Sequence, residues 1–277
     1  MDQIGVHLGP SIANLVVQRE NPFRERETNM QRITLIVGAF CLTAGVASAV
    51  PINYGTLNGT QVQFQNVTED STTDPSPLFG VPTVAGNSLI FNPTAFGAFA
   101  GVGSPTGSVD TTDGTLLTTI MGINGGTIDQ IVLSEAGDYT LLGAPGDFAQ
   151  ILAQASVFIR VIEIDGVSVN PINVFQDTLF PGSLGFNQSL PGGATALSVW
   201  NGSKTFDIAA ALASQSISGS ATKVTFSLDN SLSAMAFGNA IARVQKKEQG
   251  VRIDVIPAPG TIALISLGGL VATRRRR

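Results

Sequence analysis

The sequence predicts an all-β fold, a β-sandwich or jelly-roll-like single domain spanning residues 50–254. Three observations predict it. The stretch Gln61-Val62-Gln63-Phe64-Gln65-Asn66-Val67 alternates polar and apolar residues at period two, so an extended strand here has one apolar face. Similar short runs recur along the chain, separated by Gly, Asn, Asp and Pro, and many short strands with frequent turns point to a sandwich or jelly roll. No stretch offers a convincing amphipathic helix, and residues 206–212 are the best short candidate.

Taken in order, the body opens with the strand at 61–67. Residues 68–77, Thr-Glu-Asp-Ser-Thr-Thr-Asp-Pro-Ser-Pro, and residues 93–114, rich in Gly, Ala, Ser and Thr, read as long surface loops. Runs at 116–123 and 127–133 flank Asn124-Gly125-Gly126, which predicts a hairpin. Runs at 156–164 and 167–169 flank Asp165-Gly166, the clearest hairpin turn in the chain, because both turn positions tolerate positive φ. Residues 223–228 read as a strand leading into Asp229-Asn230, and residues 251–255 as a closing strand.

The flanks differ from the body. Residues 1–29 are polar, mixed in charge, and hold the single histidine, His7. From Met30 the text changes to Arg32, an almost wholly apolar run at 33–42, then Ala47-Ser48-Ala49. That is a short positive region, an apolar region and an A-x-A cleavage site, the layout of a secretory signal peptide over 30–49. Cleavage is expected after Ala49, with Met30 as the start; residues 1–29 are then a mis-assigned start or, alternatively, a disordered extension.

The single cysteine, Cys41, lies in that apolar region, and Phe40 before it is not the small residue a lipoprotein site requires. Once the signal is removed, the chain has neither Cys nor His. This excludes disulfides, the usual zinc sites, thiol nucleophiles and Ser-His-Asp catalysis.

The C-terminal stretch 255–277 reads Val-Ile-Pro-Ala-Pro-Gly, then an uncharged apolar run at 261–273, then Arg274, Arg275, Arg276 and Arg277. The run falls short of the ~20 residues a comfortable helical span needs. Pro257 and Pro259 lack a backbone N–H and do not extend a helix. Four arginines stay on the cytoplasmic side, which makes the segment a short stop-transfer element with the body outside. The alternative is a buried terminal strand or helix with a basic tag, but a solvated tag does not need an apolar run bounded by prolines and arginines.

The order Pro257-Ala258-Pro259-Gly260, short apolar stretch, terminal arginine cluster resembles the PEP-CTERM sorting signal of bacterial envelope proteins. The usual motif has Glu where this chain has Ala258, and the Pro-Ala-Pro form is similar to the variant of planctomycete proteins. The resemblance implies export through signal peptidase, transient residence in the inner membrane, and processing by an exosortase-like transpeptidase in an exopolysaccharide-producing cell. Residues 131–142 (Ile-Val-Leu-Ser-Glu-Ala-Gly-Asp-Tyr-Thr-Leu-Leu), Glu163-Ile164-Asp165-Gly166, residues 228–234 and Gln245-Lys246-Lys247 are similar to stretches of secreted planctomycete β-sandwich proteins with this tail. That likeness implies fold and location, and carries no activity.

Few residues invite chemistry. Gly101-Val-Gly-Ser-Pro-Thr-Gly107 has the wrong spacing for a phosphate loop, and Pro105 interrupts it. Glu163 and Asp165, two apart, project from one face of a strand and could work as a pair, although a solvated face beside a turn explains them as well. Calcium is the one metal whose hard oxygen ligands the mature chain supplies, from Asp110, Asp113, Asp129, Glu135, Asp138, Asp147, Asp229 and Asp254. None of these matches a known loop, so no cofactor is expected beyond a weak structural calcium. Trp200, beside Asn201-Gly202, is the candidate glycan contact, with core packing as its alternative; Tyr54 and Tyr139 are the other polar aromatics. Ser203 and Lys204 are adjacent, so a strand would point them to opposite faces and not pair them. Basic residues are scattered apart from Lys246-Lys247, which argues against a nucleic-acid partner.

The leading expectation is therefore a non-enzymatic envelope or matrix protein. A polysaccharide-binding module, with or without calcium, is favoured if Trp200 and Tyr139 share one exposed concave face. A hydrolase using only carboxylates requires two buried acids facing each other across a cleft at about 5 to 10 Å.

Overall fold

Alternation of residue type along the chain becomes alternation of burial along strands. The computed structural model describes residues 51–101, 107–179, 188–189 and 195–258. The segment 30–49 expected as a signal peptide, with Ala47 and Ala49, and the stretch from Pro259 through Gly260 to Arg274–Arg277 lie outside the described residues.

In chain order the strands are β1 (Ile52–Asn53), β2 (Leu57–Asn58), β3 (Val62–Asp70), β4 (Thr83–Ala85), β5 (Ser88–Phe91), β6 (Gly97–Ala100) and β7 (Ser108–Gly122). They continue as β8 (Gln130–Leu142), β9 (Phe148–Ile164), β10 (Val167–Leu179), β11 (Gln188–Ser189) and β12 (Thr195–Asp207). A short helix, α1 (Ile208–Ser214), precedes β13 (Ala221–Phe237) and β14 (Ile241–Ile256). Strand makes up 67% of the described residues and helix 4%, so the described body is all-β as expected.

The strands form two antiparallel sheets. The first runs β1-β3-β7-β13-β9-β10, with β2 added to β3 and β11 to β9; the second runs β12-β8-β14-β5-β4, with β6 added to β14. Their inward side chains merge in one core. Leu116 and Ile120 of β7, Val157 and Ile159 of β9, and Phe226 and Leu228 of β13 come from the first sheet. Leu133 and Leu141 of β8 and Val244, Val251 and Ile253 of β14 come from the second. Burial of such side chains contributes about 1.5–3 kcal/mol each, which is what offsets the entropy of ordering the long strands.

The Asp165-Gly166 turn is as the sequence predicts: Ile164 pairs with Val167, and the two turn residues have φ of 49° and 77°. Asn124-Gly125 also turns with positive φ, 54° and 75°, but it makes no hairpin. Strand β7 pairs with β3 and β13, whereas β8 pairs with β12 and β14, so this turn carries the chain from one sheet to the other. The Ile123 N–H donates to the Gln61 carbonyl at 2.9 Å, which ties the crossover to the start of β3. Turn chemistry reports a reversal of direction; the pairing partner is chosen by the core.

Three further expectations change. The strand read at 223–228 does not end at Asp229-Asn230, because β13 runs straight through them. The loop expected at 93–114 contains β6 and the start of β7, and the loop expected at 68–77 begins with the end of β3. In β3 the buried positions shift from Val62 and Phe64 to Val67 and Glu69. Asn66, at φ 50°, is the cause: the register slips between Gln65 and Thr68, and a bulge swaps which face points inward. The candidate helix appears as α1, begun by Asp207, whose carboxylate accepts the Ala210 N–H at 2.8 Å. Ile208 and Leu212 are its buried residues.

Candidate functional site

The strongest chemical feature of the described residues is a polar triad buried between the sheets. Strand β8 buries every second residue, and Ile131, Leu133, Tyr139 and Leu141 share that phase with Glu135. Strand β13 buries Val224, Phe226, Leu228, Leu232 and Ala234, and Asn230 falls in the same phase. Strand β14 buries Ala242 and Val244, and Lys246 follows them. Strict period-two geometry thus drives one carboxylate, one amide and one ammonium into an otherwise apolar interior.

There they satisfy one another. Lys246 Nζ lies 2.7 Å from Glu135 Oε2, with the two side chains 0% and 2% exposed. Asn230 Nδ2 donates to the other carboxylate oxygen, Oε1, at 2.8 Å. The ammonium also sits over two aromatic faces, 5.4 Å from the Phe96 ring centre and 5.3 Å from that of Trp200. Gly137 makes the Trp200 position available, because a Cβ there would collide with the indole and with the Gln245 carbonyl. Asn230 is flanked in register by Gly114 on β7 and Ala155 on β9, two small residues. Burial pushes the Lys246 pKa below its ordinary value, opposed by the Glu135 charge and hydrogen bond. Two buried polar atoms at this site have no hydrogen-bond partner: Asn230 Oδ1 and Trp200 Nε1.

The residues singled out in the sequence fare differently. Trp200 is 4% exposed and Tyr139 8%, so neither offers a face to a sugar, and the condition for glycan stacking at this pair is not met. The reason is again phase. Trp200 pairs with Gly137 across β12 and β8, on the inward face, while its neighbour Val199 points outward at 74% exposure.

Glu163 and Asp165 do not act as a pair. Glu163 contacts Lys223 at 3.4 Å and accepts from Thr222 Oγ1 at 2.8 Å, whereas Asp165 accepts the Ser220 N–H at 2.9 Å. Ser203 accepts from Ser134 Oγ at 3.1 Å, and Lys204 lies over Phe206 at 5.6 Å, so these neighbours point to opposite faces as expected.

Most of the candidate calcium ligands hold the fold instead. Asp110 accepts the Phe99 N–H at 2.7 Å, and Asp147 accepts those of Ala144 at 2.8 Å and Asn239 at 3.1 Å. Those two amides hold the Asp147 pKa below the usual carboxylate value. Asp138 pairs with Lys247 at 2.9 Å and Asp254 with Arg252 at 2.8 Å. Asp129 accepts from Thr127 Oγ1 at 3.2 Å. Burial and the charge of Asp229 raise the Asp113 pKa. Among the described residues no three His, Cys, Asp or Glu side chains gather as a metal site would need.

Glu69, placed inward by the β3 bulge, is a second buried carboxylate that sequence reasoning passed over. It accepts the Leu78 N–H at 2.6 Å and the Tyr54 hydroxyl at 2.9 Å, and burial raises its pKa. Pro257 and Ala258 follow β14 directly and are half-buried, and the Ala258 N–H donates to Thr127 Oγ1 at 3.2 Å. On the outer face of the first sheet, a shallow groove of about 530 Å³ is lined by Asn66, Thr68, Leu117, Phe158, Arg160 and Thr225 among others.

Neither a family model nor a curated protein matches this chain. Among solved structures it is similar to the VP2 subviral particle of infectious bursal disease virus, at 13% identity and a TM-score of 0.15, covering 78% of this chain and 58% of that one. It is also similar to the Gt strain of the same virus, at 12% identity and a TM-score of 0.12, covering 72% and 52%. The chain spans between half and three-fifths of the viral chains it matches here. TM-scores this low are no basis for a shared fold or function.

Proposed function

We propose that this chain is an exported, non-enzymatic protein of the cell envelope or extracellular matrix. It is delivered by the signal peptide at 30–49 and sorted through Pro257-Ala258-Pro259-Gly260 and the arginines at 274–277. The observation that carries this is the junction at Ile256. Strand β14 lies between β8 and β5, and it ends at Ile256, the residue before the Pro257-Ala258-Pro259 motif. A body closed by an internal strand can fold outside the membrane while the following residues hold it there.

In this scheme signal peptidase cuts after Ala49, the apolar run at 261–273 enters the inner membrane, and Arg274–Arg277 stay behind. An exosortase-like transpeptidase then acts at the Pro-Ala-Pro segment, and the jelly-roll-like sandwich is displayed or released. The internal use of the acids supports a structural role: most of those that could serve catalysis are engaged by backbone amides or by basic partners.

A reporter bearing residues 30–49 at its front and 255–277 at its end tests the scheme. In an exosortase-bearing host it is expected to fractionate with the envelope and to lose the tail, and replacing Arg274–Arg277 with Asn abolishes retention. A reporter that stays cytoplasmic, or that is retained equally without the arginines, contradicts the proposal.

A second reading, polysaccharide binding, is favoured only by the outer groove, where Phe158 and Arg160 offer an aromatic edge and a cation side by side.

A further inference from the structure

We propose that Lys246 and Asn230 become joined by an intramolecular isopeptide bond, with Glu135 as the proton-transfer group, so that the two sheets are covalently cross-linked. The argument rests on placement. The nucleophile and the amide are held on the two oxygens of one carboxylate, at 2.7 and 2.8 Å, inside a water-poor interior. They come from opposite sheets, Lys246 from β14 and Asn230 from β13. Small residues flank the amide in register, and aromatic rings cover the ammonium. Asn230 Oδ1 is buried without a partner, so the Nδ2 bond to Glu135 is the one that orients the amide.

A charged ammonium is not a nucleophile; a neutral amine is. Burial favours the neutral amine of Lys246, opposed by the Glu135 charge, and the 2.7 Å contact places Glu135 Oε2 to receive the proton. The step balances without an outside reactant. One ammonium proton passes to Glu135 Oε2, and the freed lone pair on Nζ forms a bond to Asn230 Cγ. With the amide turned so that Oδ1 in place of Nδ2 meets the protonated carboxyl, that carboxyl polarises the Asn230 carbonyl, and a second Nζ proton is relayed to Nδ2. The Cγ–Nδ2 bond then breaks, ammonia leaves, and the third proton remains on the new amide. The ammonia carries off the proton stored on Glu135 as ammonium. No oxidant, reductant or metal takes part.

The bond is independent of export and is read on the full chain purified in folded form from any host. Its intact mass under denaturing conditions is expected to fall short of the sequence mass by about 17 Da, one ammonia. Tandem mass spectrometry of a digest is expected to find one peptide pair joined between Lys246 and Asn230. That second readout separates the cross-link from cyclised asparagine or an N-terminal pyroglutamate, which lose the same mass without joining two peptides. Glu135→Gln, Lys246→Arg and Asn230→Ala should each carry the full mass expected for the variant. Folded wild-type chain lacking the joined pair overturns the proposal, whether or not the variants fold.

Discussion

Glu135→Ala, which also prevents the proposed cross-link, is expected to destabilise the sandwich by at least about 3–5 kcal/mol, the usual cost of removing one partner from a buried ion pair. The loss is large because the ammonium of Lys246, fully buried between Phe96 and Trp200, keeps its desolvation cost and loses its counter-charge. For a domain of this size the melting temperature should fall by roughly 6–20 °C. The variant also acquires a pH dependence whose sign is fixed. With only burial acting, the folded-state pKa of Lys246 lies below its ordinary value of 10.5. The unfolded chain then binds more protons than the folded one between those two values, so stability rises with pH across that window. Thermal or urea melts of Glu135→Ala from neutral to alkaline pH check both points. A variant as stable as the wild type would mean that the triad is not a support of the fold.

Trp200→Ala is expected to cost about 3–5 kcal/mol, the range for removing a large buried aromatic. The indole is 4% exposed, covers the Lys246 ammonium, and fills space that Gly137 leaves open. Two accounts of this residue part here. As core, its removal lowers the melting temperature and leaves binding to polysaccharide unaltered. As a glycan contact, its removal would abolish binding at unchanged stability. Denaturation curves set beside a pull-down on insoluble polysaccharide distinguish the two, and a stable variant with lost binding would contradict the burial described here.

The class of fold was legible from local pattern, because period-two alternation and turn residues act over a few residues at a time. Asp165-Gly166 was readable for that reason: its two positive φ values belong to the turn itself. Sheet assignment was not, since Asn124-Gly125 makes the same kind of turn yet sends β8 to another sheet. The β3 bulge at Asn66 was hidden as well, because one extra residue inverts the phase and brings Glu69 inward without changing composition.

The triad left a signal that went unused. Glu135 shares the phase of Ile131, Leu133, Tyr139 and Leu141, and Asn230 that of Phe226, Leu228 and Leu232. Grouping Glu135 with scattered calcium ligands and Lys246 with its neighbour Lys247, and setting Asn230 past the end of a strand, obscured three polar residues written into apolar registers. What joins them is tertiary: three strands from two sheets must meet before a carboxylate, an amide and an ammonium form one site.

The central claim is that the folded body is exported and separated from its flanks. Terminal peptide sequencing of the protein isolated from its native host tests that most directly. The account predicts an envelope or extracellular chain that begins at Val50 and ends within Pro257-Ala258-Pro259, with the arginines at 274–277 gone. A cytoplasmic chain that still carries Met1 and Arg277 would contradict it.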